Sequence, residues 1–164
     1  GIDATGTGSY ITTLSLTGSK VIWWIPNHPL AYRASLNYSI PSVVSVKGFN
    51  AYGGGYGTSG TVKPGNSIAF DTSLEYSLFQ KWVLALDLVY QYESKSTFEG
   101  TNGISSTGET ADVGSPSNDN LSLAPAIEYN PSSNIGFVAG VWFSVTGRNS
   151  SSFASTVLTF YYYW

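Results

Sequence analysis

SIAFDTSLEYSLFQKWVLALDLVYQYE, residues 67–93, is the stretch whose reading decides the fold. In steps of two, Ile68, Phe70, Thr72, Leu74, Tyr76 and Leu78 oppose Ala69, Asp71, Ser73, Glu75 and Ser77. After a tight turn at Gln80-Lys81, Trp82, Leu84, Leu86, Leu88, Tyr90 and Tyr92 oppose Val83, Ala85, Asp87, Val89, Gln91 and Glu93. A period of two marks strands, so residues 65–99 are expected to form an antiparallel hairpin turning at 79–81. Aromatics lie at the ends of each apolar row and aliphatics in its middle, the girdle arrangement of a membrane barrel. A soluble sandwich also alternates, but its outward side is the charged one. Here the polar side is small and sparsely charged, which favours Leu74, Leu84 and Leu86 facing lipid.

The C-terminus repeats the pattern. FASTVLTFYYYW, residues 153–164, sets Ala154, Thr156, Leu158, Phe160, Tyr162 and Trp164 against Phe153, Ser155, Val157, Thr159, Tyr161 and Tyr163. Five closing aromatics fray into water in a soluble protein, whereas at a membrane interface such rings sit at headgroup level. An ordinary buried last strand remains the alternative. A final strand closing on an aromatic resembles the C-terminal signal read by the barrel-assembly machinery of bacterial outer membranes. That resemblance makes Phe160, Tyr162 and Trp164 an expected assembly signal.

Other strands follow the same rule. Residues 1–8 read as a loop end, and Tyr10 to Trp24 as a weak two-sided strand in which Gly18 is expected to hold a phase-flipping bulge. A Pro-flanked turn at 25–29 precedes a long strand, with Leu30, Tyr32, Ala34, Leu36, Tyr38, Ile40, Val44 and Val46 in phase and a bulge or break at Pro41. A fifth strand spans LSLAPAIEYN and a sixth begins at Ile135, separated by a short turn at 131–134. GFNAYGGGYGTSGTVKPGN, residues 48–66, and the acidic stretch 94–118 read as long loops, and the glycines of the first as a source of flexibility.

Short turns and long loops alternate, as periplasmic turns and extracellular loops do, with the brief 147–152 connection outside by count. Strands of about 12 residues at ~3.3 Å each, tilted ~40°, rise about 30 Å, enough to span. The expected fold is therefore all-β, an antiparallel transmembrane up-and-down barrel in a single domain over residues 1–164. Seven strands are counted, and single-chain bacterial barrels have an even number. The chain is thus expected to be the C-terminal part of a larger barrel. Its first strand would be paired by missing N-terminal strands or by another copy of the chain; a split at Pro41, giving eight strands, ranks second.

Composition limits the chemistry. Charged residues make up 10%, against about 25% in a typical soluble domain, and no apolar run approaches the ~20 residues of a spanning helix. The net charge of −3 argues against nucleic acid, and the lack of Cys removes disulfides, thiolate metal sites and thiol nucleophiles. One His, His28 in a turn, has no local Ser or carboxylate motif around it, so neither a catalytic triad nor a metal or other cofactor is expected. Residues 48–66 carry no phosphate-binding motif. Arg33, Asp71, Glu75, Asp87, Glu93, Glu128 and Trp142 fall on polar sides of strands and are the lumen-facing candidates. They either select permeants by charge or form a packed polar network that fills a narrow barrel. The second reading ranks first because small barrels are filled by their own side chains.

From Gly65 onward the text resembles a known group. The features are a Pro-Gly before a strand, EYSL followed by KWVL, then LAPAIEYN, GVWFSVTGRN and the aromatic end. They are similar to the C-terminal half of the "MetA-pathway of phenol degradation" family, outer-membrane barrels often labelled transporters. The resemblance covers roughly residues 65–164, and 8–47 more loosely. It implies a non-enzymatic barrel in the bacterial outer membrane, in contact with its lipid, passing small molecules passively, apolar or aromatic ones among them. Two rival readings are a structural or adhesive surface protein with Gly/Tyr-rich outer loops, and a secreted β-protein that self-assembles through its edges.

Overall fold

The computed structural model describes residues 7–164, so the loop end expected at 1–8 falls outside the described residues for 1–6. Ten strands and no helix occur among the described residues. They are β1 (Ile11–Ile25), β2 (His28–Pro41), β3 (Val44–Lys47), β4 (Ser59–Lys63), β5 (Ser67–Phe79), β6 (Trp82–Glu93), β7 (Thr97–Thr101), β8 (Asn118–Ser132), β9 (Ile135–Arg148) and β10 (Ala154–Tyr162). Seven form one sheet in the order β1-β2-β5-β6-β8-β9-β10; the other three form a second sheet, β3-β4-β7. The chain divides into two compact units. One holds the described residues up to Leu14 with Tyr38–Ile68 and Tyr92–Asn118, the other Ser15–Asn37, Ala69–Gln91 and Asp119–Trp164.

The large sheet has the expected strand number and meander order. Gln80 and Lys81 make the whole of the β5–β6 link, and Ser133-Asn134 the whole of the β8–β9 link. Asn27 closes the β1–β2 link with φ 65°, a left-handed conformation that Asn tolerates better than most residues. β9 and β10 pair without interruption from Ala154 opposite Phe143 to Tyr162 opposite Ile135. Beyond the strand, Tyr163 and Asn134 exchange backbone and side-chain hydrogen bonds of 2.9 Å, so the C-terminal end is held in register. β8 and β9 slip register twice, once near each end of the ladder. One slip lies between Tyr129 and Ser132, where Pro131 lacks the donor a regular ladder needs.

Two expectations are corrected. The long second strand does not run to Lys47: β2 stops at Pro41, and Val44–Lys47 pairs instead with β4 as part of the small sheet. The chain does not turn back into the large sheet at Pro41, so the break adds no eighth strand there. Nor are 48–66 and 94–118 plain loops, because β4 lies in the first and β7 in the second, and the two pair from Ser59–Thr101 to Lys63–Thr97. As expected, β1 and β10 are the two edges of the large sheet, and no ladder joins them among the described residues. The antiparallel sheet is not closed into a barrel.

Burial is distributed unlike that of a soluble β-protein. Val46, Val62 and Ala111 are the buried hydrophobic residues among those described, all in the unit that contains the small sheet. A compact soluble protein of this mass exposes about 7,900 Å²; this chain exposes 11047 Å². In the β5–β6 hairpin the three leucines expected to face outward do so. Leu74, Leu84 and Leu86 are 40, 43 and 41% exposed, while Asp71, Ser73, Glu75, Val83, Ala85 and Asp87 are all more covered.

Five of the seven glycines in residues 48–66 serve close packing, Gly48 and Gly57 having open space, which corrects their reading as a source of flexibility. A Cβ on Gly55 would sit 2.0 Å from the Ile104 carbonyl oxygen, across the Tyr56–Ile104 bridge. Gly55 also donates its N–H to the buried Thr58 hydroxyl at 2.7 Å, and that hydroxyl donates in turn to the Asn102 carbonyl. Gly55→Ala should therefore open the Tyr56–Ile104 bridge and cost about 1–3 kcal/mol. Gly18→Ala, with open space around the new methyl, should be neutral or stabilising by up to ~1 kcal/mol. Amide exchange at Tyr56 and Ile104 checks the pair; unchanged protection in Gly55→Ala would show that the close approach is not needed.

Candidate functional site

The expected lumen-facing residues divide between the two units. Glu93 belongs to the unit with the small sheet, where its carboxylate accepts a 3.3 Å hydrogen bond from the Asn118 amide. Arg33, Asp71, Glu75, Asp87, Glu128 and Trp142 all belong to the other unit, on β2, β5, β6, β8 and β9. Within it, Arg33 and Glu75 line one cleft of about 300 Å³ together with Lys20. The structure does not gather the rest around that cleft.

Glu128 and Trp142 are tied into side-chain networks. Tyr161 on β10 donates its hydroxyl proton to the Glu128 carboxylate, and its oxygen lies 2.5 Å from the Asn130 side-chain oxygen. Asn130 donates to the same carboxylate at 2.8 Å. Between them stands Gly136, opposite Tyr161 in the β9–β10 register. A Cβ on Gly136 would fall 2.0 Å from Tyr161 Cζ, so the phenol ring lies across the glycine and reaches β8 beyond it. Glycine thus provides the groove, Tyr161 fills it, and the hydroxyl finds its partners two strands away.

Trp142 is held in a second knot. Its indole N–H donates to Ser122 Oγ at 3.0 Å, and Phe153 packs edge-on against it with ring centroids 4.9 Å apart. Ser122 is 2% exposed, and its hydroxyl accepts from this indole while donating to the Val89 carbonyl at 3.5 Å. Trp142 therefore acts here as a structural anchor on the polar side. His28 also has a packing role, with Nδ1 3.0 Å from the Ser77 carbonyl oxygen and its ring stacked near Tyr76.

The three aromatics of the expected assembly signal lie at the β10 edge. Phe160 packs on Phe137 at 5.2 Å between centroids, directly opposite it in register. Tyr162 lies 6.4 Å from Trp164, and all three are exposed. Sequence reasoning missed Tyr161, Gly136, Ser122 and Lys20. A glycine inside an apolar strand was the only signal for the first two, since it hints at a close approach without saying whose.

Removing only the hydroxyl, Tyr161→Phe, should cost about 1–3 kcal/mol by leaving Glu128 short of a donor. Gly136→Ala should cost more, because the methyl displaces the whole ring and the hydroxyl bonds with it. Denaturant midpoints in detergent micelles give the comparison; equal losses would mean that the ring's seat on Gly136 contributes nothing. Comparison of the chain with family models, with curated proteins and with solved structures finds no match.

Proposed function

We propose that this chain is a wall section of a bacterial outer-membrane β-barrel through which small molecules pass passively. The observation that carries the reading is the burial at the middle of β5 and β6: Leu74, Leu84 and Leu86 are exposed while Asp71, Glu75 and Asp87 are more covered. In water such a sheet leaves its apolar rows unpaid by any core, whereas in a bilayer those rows meet lipid and the polar side meets an aqueous lumen. Exposed aromatics near strand ends, among them Trp23, Trp24, Trp82 and Tyr162, support the same placement. The resemblance of residues 65–164 to outer-membrane transporters agrees with this reading and supplies the transport expectation. In this reading Phe160, Tyr162 and Trp164 address the assembly machinery.

Free edges set what else the barrel needs. Every residue of β1 is exposed, and β1 and β10 are the outer strands of a seven-stranded meander. Alternating directions make the first and seventh strands parallel to each other. Their unpaired backbone groups would cost several kcal/mol each in lipid. An odd number of further strands closes such a sheet with antiparallel ladders throughout. A second copy in the same membrane orientation offers only parallel seams, so the additional strands are the preferred partner.

A second reading is favoured by one observation: Phe49, Tyr56 and Ile104 stand exposed in the unit with the small sheet. They suit an adhesive surface.

The passage reading expects recovery in the outer-membrane fraction, extraction only with detergent, and ion conductance once the closed barrel is reconstituted in a planar bilayer. Recovery from the soluble fraction would sink it, and a membrane-bound but non-conducting barrel would favour the adhesive reading. On the same view Leu86→Arg costs ~2–4 kcal/mol near mid-span in lipid vesicles, and Asp87→Asn much less. Similar losses in denaturant unfolding would reverse the assigned sides.

A further inference from the structure

We infer that the cleft between β1, β2 and β5 is a binding subsite for small zwitterions of the amino-acid type; this rests on the passage reading and names a substrate class for it. Lys20 comes from β1, Arg33 from β2 and Glu75 from β5, and all three line a single space of about 300 Å³ with the hydroxyl-bearing Ser19 and Ser73. That volume lies at the small end of ligand clefts, which begin at ~300 Å³.

The charges are the informative part. Among the described residues the one ion pair is Arg148–Asp119, at 3.1 Å, so Arg33, Lys20 and Glu75 share a cleft without pairing. Nor does any of the three side chains take part in a hydrogen bond among the described residues, although the Arg33 carbonyl accepts one from Thr72. Both signs are thus presented side by side, each short of a partner.

A ligand of one sign is poorly served by this arrangement. A simple carboxylate gains Arg33 and Lys20 but meets Glu75, and a simple ammonium gains Glu75 but meets two cations. Like-charge juxtaposition of that kind is what suppresses wrong partners. A molecule carrying both groups a few ångströms apart pairs its carboxylate with the planar Arg33 fork and Lys20, and its ammonium with Glu75. The serine hydroxyls supply adaptable donors and acceptors beside them.

The test is titration of the folded protein in detergent micelles with L-alanine, and with acetate and ethylammonium as single-charge comparators, read by ligand-observed NMR. Alanine should bind saturably and more tightly than either comparator. Arg33→Gln and Glu75→Gln should each weaken it about tenfold or more, while Arg33→Lys retains part of the affinity. Alanine binding no tighter than acetate and ethylammonium, or binding unmoved by either neutral variant in protein with wild-type circular dichroism, overturns the inference. Liposome swelling in alanine separates the two claims. Binding without swelling refutes passage and leaves the subsite standing, whereas swelling unaffected by Arg33→Gln and Glu75→Gln refutes the subsite and leaves passage.

Discussion

The constraint on which this structure depends is the backbone ladder, because there is almost no core to share the burden. Val62 is the one large side chain fully buried among the described residues, and it lies in the small sheet. Strand pairing and cross-strand side-chain contacts must therefore hold the large sheet. Phe160 on Phe137 and Trp82 on Tyr129, with centroids 5.2 and 4.5 Å apart, are such contacts, worth about 0.2–1 kcal/mol each. Register matters more than usual here, since a one-residue slip would send a leucine row to the carboxylate side. The β8–β9 irregularities keep to the two ends of the ladder, and the Ala126–Gly140 to Tyr129–Phe137 stretch between them is regular.

That dependence explains what the sequence made legible. The β5–β6 and β8–β9 hairpins were readable because a period of two persists for a dozen residues and two-residue links join the strands. The small sheet was not. β4 and β7 are five residues each, both carry glycine, and their pairing is separated by more than thirty residues of chain. Val62 and Ala111 show no local periodicity that marks them as a core, and Val46 continued an apolar row that elsewhere faces outward, as at Leu36 and Ile40. Pro41 announced an interruption, but whether the chain would turn back or move to another sheet depends on partners far away in sequence.

The site was legible only as a list of polar positions. Sequence placed Arg33, Glu75 and Glu128 on polar sides, and the structure then separates their roles. Glu128 is taken up by Tyr161 and Asn130, from residues 33 and 2 positions away, and is part of a lock on β10. Trp142 is likewise absorbed by Ser122 and Phe153. Periodicity reports which side a residue occupies; it is silent on which neighbour two strands away will consume its hydrogen bonds.

This division bears on whether the polar side is a dry filling or a wet surface. Moving a charged side chain out of water costs several kcal/mol per ion unless a partner is close and well oriented. A filled interior built from Arg33, Asp71, Glu75 and Asp87 would therefore have to bring the guanidinium onto at least one carboxylate and give the others donors. Among the described residues none of these four is ion-paired, and the one pair that forms, Arg148–Asp119, is exposed at its arginine. Glu128, half-buried, has acquired two donors of the kind a dry environment demands, and Glu93 has one in Asn118. The polar side thus contains a packed, satisfied region around Tyr161 and a region around Arg33 and Glu75 whose charges remain at low cost only in contact with water. A packed polar network accounts for the first region, whereas in the second Arg33 and Glu75 are not ion-paired among the described residues.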